Sequence, residues 1–206
     1  MTQTQTLPER RIAQLPLPER LDVKSIELLR PWLEKPAVKQ LGKVGNVADE
    51  PPLMLLSAAI LIAGVVSHNP KLQRTGLRMG LAHLIAISLK ELGKNNVDRT
   101  RPDQQLKEGS YHMEAGTSRS ARLRSFPSGH TAGALALARA FSREYPRYTK
   151  PLLTVAAVVG ALQVPRRAHY PGDVVAGGFA GALAEKAADL IIYGAIRLRS
   201  KRRRTV

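Results

Sequence analysis

Pro51-Pro-Leu-Met-Leu-Leu-Ser-Ala-Ala-Ile-Leu-Ile-Ala-Gly-Val-Val-Ser-His-Asn-Pro70 is the most hydrophobic stretch of the chain and holds no formal charge. About 20 apolar residues reach across a bilayer, so this stretch is borderline sufficient as a span. Further helices are expected on its C-terminal side. One covers Gly76 to Leu92, with Gly93 placed as its C-cap. The next opens at Ser128 and stops at Tyr145, before Pro146. A fourth follows Pro151 and stays uncharged to Pro165, and a fifth starts near Asp173 and reaches Arg199. Residues 94–127 are charged and irregular, a loop too long to be idle in a compact domain. On the N-terminal side, Leu21, Val23, Ile26, Leu28, Leu29 and Leu33 fall near helical spacing. They predict an amphipathic helix that either lies on a membrane or packs on the main body.

The expected fold is all-α: about five core helices in a membrane-embedded bundle, plus the N-terminal amphipathic helix. The divisions are an N-terminal extension over 1–50, a helical domain over 51–199 and a basic tail over 200–206. Within the extension, residues 1–19 are polar, proline-punctuated and expected to be mobile, and Lys35 to Glu50 reads as a linker. Met1 to Leu15 has no apolar core and does not read as a signal peptide. Gly177 and Gly181 form a small-xxx-small spacing that suits close helix packing in lipid. Against embedding, the mean hydropathy of −0.17 is low for a polytopic protein.

Composition narrows the chemistry. The 206 residues hold one ordinary domain, and the absence of cysteine excludes disulfides, thiolate catalysis and Cys-based metal sites. Thirty-two Lys and Arg against 16 Asp and Glu give a formal charge of +16, a field that attracts nucleic acid, acidic lipid head groups or small phosphates. Aromatics at 4% argue against surfaces that stack bases. No specific nucleic-acid partner is expected, and the basic tail reads equally as an anchor on a lipid surface.

Three short segments hold most of the unusual polar residues, each at an expected helix end: Lys94 to Pro102, Pro127 to His130, and His169 to Asp173. Antiparallel neighbours would bring all three to one face. Lys94 and Arg101 can hold phosphate oxygens, and Ser128 with Gly129 at a helix start offers backbone N–H groups to an anion. A neutral His169 is a competent nucleophile, Asp173 can fix its tautomer, and His130 can protonate a leaving oxygen. Singly, each has a plainer explanation as a cap, a turn residue or a solvated charge. His68, His83 and His112 match nothing and read as structural, and Arg119, Arg122 and Arg124 read as solvated, with contact to substrate or lipid head groups as the alternative.

These segments resemble the signature of the type 2 phosphatidic acid phosphatases: Lys, six residues, Arg-Pro; Pro-Ser-Gly-His; and Ser-Arg, five residues, His, three residues, Asp. Lys94, Arg101 and Pro102 fit the first part, Pro127 to His130 the second, and His169 and Asp173 the end of the third. The resemblance covers residues 94–180 by motif. It implies hydrolysis of a lipid or polyprenyl phosphate monoester or pyrophosphate, with His169 as a phosphohistidine, His130 as general acid and no metal or cofactor. The hydropathy signals together lead to the expectation of an integral membrane location, of the bacterial inner (plasma) membrane type. The cations Lys71, Arg74, Arg78, Arg143, Arg147 and Lys150, at the end away from the site, then set its orientation. By the positive-inside rule, the site would face away from the cytoplasm.

One departure stands out. The Ser-Arg pair of the third part is replaced by Leu162 and Gln163, and a neutral amide supplies no charge to phosphorus. Arg166 and Arg167 lie close enough to reach inward, although the plainer reading of both is loop charge. The alternative function is therefore a membrane protein that binds a phosphorylated lipid with little or no turnover. A soluble acid phosphatase or vanadate-dependent haloperoxidase shares the motifs, but the chain is short for either.

Overall fold

Helix starts follow the punctuation of the sequence. Asn69 caps one helix, accepting from the Lys71 and Leu72 N–H groups, with Pro70 in its first turn. Ser128 caps another. The computed structural model describes residues 7–38, 40 and 50–202. The helices are α1 (Glu9–Gln14), α2 (Leu17–Leu33), α3 (Glu50–Val66), α4 (Pro70–Lys94), α5 (Pro102–Glu108), α6 (Gly129–Glu144), α7 (Thr149–Ala161) and α8 (Pro171–Arg202). Short strands β1 (Val97–Arg99) and β2 (Met113–Ala115) pair antiparallel, with Val97 opposite Ala115.

The all-α expectation holds. Helices α4, α6 and α8 pack side by side around Met79, Ala82 and Ala86, Ala132, Ala136 and Ala140, and Ala184 and Ala188. Helix α3 folds back on α4, and α7 covers α6. So many alanines allow a close approach of helix axes, and the small-xxx-small pair makes the closest one. A Cβ at Gly177 would stand 2.3 Å from the Ser128 carbonyl oxygen, and one at Gly181 would stand 2.4 Å from that of Ala132. These glycines seat α8 against the first turns of α6.

A second core joins the N-terminal helices to the body, with Ile12, Val23, Ile26 and Leu33 buried against Leu106 and Tyr170. Part of residues 1–19 is therefore helical rather than mobile: Pro8 and Pro16 precede helix starts instead of breaking them, and Ile12 is buried. Gly93 is not a C-cap. The helix continues through it to Lys94, with Asn95 as the C-cap, and Gly93 instead makes room for Pro127, whose ring a Cβ would meet at 2.5 Å. The 94–127 segment carries the hairpin and α5.

Helix α3 ends at Val66, and no helix among the described residues is long and apolar enough to cross a membrane. Most of the expected linker, and the tail beyond Arg202, lie outside the described residues.

Candidate active site

His169 lies in the turn between α7 and α8, 2% exposed. Its Nδ1 is 2.6 Å from the Ser125 carbonyl oxygen. A carbonyl only accepts, so Nδ1 carries the proton and Nε2 keeps the lone pair. Burial pushes the imidazole below its ordinary range and Asp173 opposes this, while Arg101 and Lys94 add to the downward shift. The downward shift favours the neutral form of the ring.

Asp173 holds this arrangement at one remove. Its carboxylate is 3.8 Å from Nδ1, beyond a hydrogen bond, so the tautomer is fixed by Ser125 rather than by Asp173 as the spacing suggested. Asp173 instead accepts from the Ser125 hydroxyl at 2.6 Å, the Tyr170 N–H at 2.8 Å and Arg99 at 2.5 Å. Arg99 also donates to Asp22 of α2 at 2.7 Å.

The three segments converge on a cleft of about 110 Å³. Its walls include Lys94, Arg101, Gly129, His130 and His169, together with Lys90 and Arg166. Drug-sized ligands occupy sites of roughly 300 Å³ or more, so the cleft suits a small group such as phosphate. Lys94 is lowered to about 8, chiefly by burial, with repulsion from Lys90 and Arg101 adding to it. The Arg101 Nε is buried without a hydrogen-bond partner, a cost that a bound anion would offset.

Ser128 does not line the cleft. It is fully buried, its N–H donates to the Asp173 carbonyl at 3.0 Å, and its hydroxyl accepts from Thr131 at 2.9 Å. Its part is to cap α6 and tie it to α8, which leaves Gly129 as the wall residue of the pair. The stem of Lys90 runs past Gly129, where a Cβ would stand 2.6 Å from Lys90 Cδ.

The sequence reading passed over Lys90 and gave His83, Arg124 and Arg166 plainer parts than the structure does. Lys90 lies one turn before Lys94, on the same helical face, and pairs with Glu50 and Glu91. His83 was read as structural but forms part of the cleft wall. Arg124 is not solvated: it braces the α4 terminus through Glu91 at 2.7 Å and Asn95 at 3.0 Å. Arg166 reaches inward, its guanidinium 3.1 Å from Gln163 Oε1 and 3.2 Å from His130 Nε2. Arg167 turns away, to the Leu33 carbonyl at 2.7 Å.

The PAP2 superfamily model matches residues 75–195, more than half of the chain and all three segments. The chain belongs to the PAP2 superfamily. Among curated relatives, it is 30% identical over 159 residues to a lipid A 1-phosphatase of Rhizobium etli, a match that covers 70% of this chain and 67% of that one. A lipid A 1-phosphatase of Rhizobium johnstonii is 37% identical over 94 residues, covering 46% of this chain and 38% of that one. The chain thus spans about two thirds of one relative's length and well under half of the other's. The crystal structure of Aquifex aeolicus LpxE superposes with a TM-score of 0.56 at 23% identity, over 82% of this chain and 94% of that one. At that identity the likeness supports a shared fold.

Proposed function

We propose that this PAP2 protein is a metal-independent phosphatase acting on a lipid or polyprenyl phosphate, through a phosphohistidine on His169. The observation that carries the reading is the Ser125 carbonyl on His169 Nδ1, which leaves a neutral Nε2 beside a cationic cleft. In the first step Nε2 attacks phosphorus, the bond to the lipid oxygen breaks, and that oxygen takes a proton from His130. Water then gives a proton back to His130 and its oxygen attacks the phosphohistidine, releasing phosphate and restoring the imidazole. Lys94, Arg101 and Arg166 supply positive charge to the phosphoryl oxygens. Arg166 donates to His130 Nε2 in the structure. A phosphoryl oxygen competes for the same guanidinium, and the nitrogen it releases takes up from solvent the proton that it then passes to the leaving oxygen.

The non-catalytic alternative rested on Gln163. Arg166, held by that glutamine's own carbonyl, brings back a guanidinium and removes the reason to prefer it.

A lipid substrate is supported by an apolar crevice of about 420 Å³ between α3, α6 and α7, lined by Leu53, Leu56, Leu137, Phe141 and Val159 among others. The relatives' names point the same way, since lipid A is a phosphorylated lipid. Exposed Leu55, Ile62, Leu84, Val155, Phe179 and Leu183 give the bundle apolar flanks, which supports a membrane location. At the end away from the cleft, Lys71 lies over Tyr145 and Arg147 over Tyr148. A cationic and aromatic rim of this kind suits a cytoplasmic interface, and the cleft would then open on the other side.

The test is phosphate release from lipid A and from phosphatidic acid in detergent with excess EDTA, for wild type and His169→Ala. Release by wild type, with ³²P from labelled lipid trapped on His169 in rapid quench, is expected; His169→Ala should release at least a thousandfold less. Activity abolished by EDTA would refute the metal-free route, and activity retained by His169→Ala would refute the nucleophile.

A further inference from the structure

Helix α2 has two faces. The inner one grips the segment that carries the nucleophile at three points. Asp22 accepts from the Gly172 N–H at 2.8 Å and from Arg99 at 2.7 Å, and Arg99 in turn holds Asp173. Glu27 accepts from Gln105 at 3.0 Å, and Gln105 accepts from the Tyr170 hydroxyl at 2.7 Å. The Leu33 carbonyl accepts from Arg167 at 2.7 Å. Asp22, Val23, Ile26 and Leu33 are buried. A shift of α2 therefore moves residues 167–173, and His169 with them.

The outer face is apolar. Leu17, Leu21, Leu28 and Trp32 are 63%, 60%, 80% and 62% exposed. At 3.6 residues per turn they fall within roughly 60° of arc, a narrow stripe rather than scattered surface residues. Lys24 beside the stripe is exposed, and Lys35 just past the helix end holds its ammonium 4.1 Å from the Trp32 ring centroid. The acids of α2 (Glu19, Asp22, Glu27) lie off this arc by the same geometry. A second protein chain covering four large apolar groups has no need of a cationic margin, whereas an anionic lipid surface does. Tryptophan at such an edge suits the head-group level.

We propose that α2 lies on an anionic lipid surface by its Leu17, Leu21, Leu28 and Trp32 stripe, and that this contact sets the position of the His169 segment through Asp22, Gln105 and Arg167. The inference rests on the reading that the protein works at a membrane, and its test does not require turnover. Trp32 is the only tryptophan in the chain, so intrinsic fluorescence reports on this stripe alone.

The 206-residue chain, reconstituted in phosphatidylcholine vesicles with and without about 30% phosphatidylglycerol, is titrated with lipids spin-labelled near the head group or near the chain end. The expected result is a blue-shifted Trp32 emission quenched by at least half by the shallow label, and less by the deep one. Affinity for orthovanadate, read as the phosphate probe, is expected to be at least fivefold tighter in anionic vesicles than in detergent. Leu21→Asp with Leu28→Asp should abolish the shallow quenching and that gain, while leaving orthovanadate affinity in detergent unchanged.

Trp32 emission indifferent to both labels would overturn the docking. Emission that changes with protein-to-lipid ratio rather than with label would assign the stripe to a second copy and overturn it equally. Shallow quenching with no change in orthovanadate affinity would refute the coupling. Absence of phosphate release, by contrast, would strike the phosphatase reading alone.

Discussion

Gln163 and Arg166 divide between them what one arginine would do: the amide carbonyl aims the guanidinium, and the guanidinium brings the charge to the cleft. Removing one donor from such a site costs about 10²- to 10³-fold in kcat. Arg166→Ala is therefore expected to lose about a hundredfold in kcat/KM, for lipid phosphates and for activated aryl phosphates alike. A residue that served only proton donation by His130 would spare the aryl esters, whose leaving groups need little protonation. Gln163→Arg combined with Arg166→Ala is expected to recover at least tenfold over Arg166→Ala, and no recovery would show that position 163 cannot supply the charge.

Lys94 gives a pH dependence of definite sign. Its ammonium, lowered to about 8 mainly by burial, is lost from the folded protein well before an ordinary lysine would lose it. Calorimetry should show affinity for inorganic phosphate falling as pH rises through about 8, with that limb absent in Lys94→Arg. Stability runs the other way: the unfolded chain holds the proton longer, so over this window the Lys94 contribution to stability rises with pH. Lys94, Arg101, His130, His169 and Asp173 were legible because their spacing is local and their helix ends converge. Which of Arg166 and Arg167 reaches inward was not, because a few residues of irregular turn decide whether a side chain points into a cleft or, like Arg167, away to Leu33.

Among the helices, the contact of α6 with α8 decides whether the site exists. Gly177 lies against the carbonyl of Ser128, whose N–H in turn donates to the Asp173 carbonyl, so one interface positions both the cap of α6 and the start of α8. Gly177→Leu inserts a side chain where a Cβ already stands at 2.3 Å. Overpacking of this kind costs about 1–3 kcal/mol. The expected outcome is a lowered unfolding midpoint by circular dichroism, with orthovanadate binding lost along with stability, whereas Gly194→Ala, where nothing lies within 4 Å of an added Cβ, should change neither. The small-xxx-small spacing was readable in the chain, and so was the start marked by Ser128, whereas α4 begins at Pro70, ahead of the expected Gly76. The extra helix and hairpin within 94–127 were not, since three-residue strands carry too few side chains to show a period.

For the molecule as a whole, the apolar flanks and the rim of Lys71, Arg147 and their tyrosines predict how it fractionates. Alkaline carbonate is expected to leave the protein in the membrane pellet and mild detergent to release it; recovery in the carbonate supernatant would refute the embedding. No described helix is long and apolar enough to cross a bilayer, so this prediction rests on the side-by-side surface of α3, α4, α7 and α8 rather than on any one segment.

The sequence by itself determined the all-α class, the order of the longer helices and half of the cleft residues, because helix periodicity, caps and ordered motifs are local properties. Only the tertiary structure decided that Ser125 rather than Asp173 fixes the His169 tautomer, that Ser128 is buried away from the cleft, and that α2 reaches the Asp173 carboxylate through Arg99. Each depends on contacts between residues more than 40 positions apart, and their distance is set by how the helices pack.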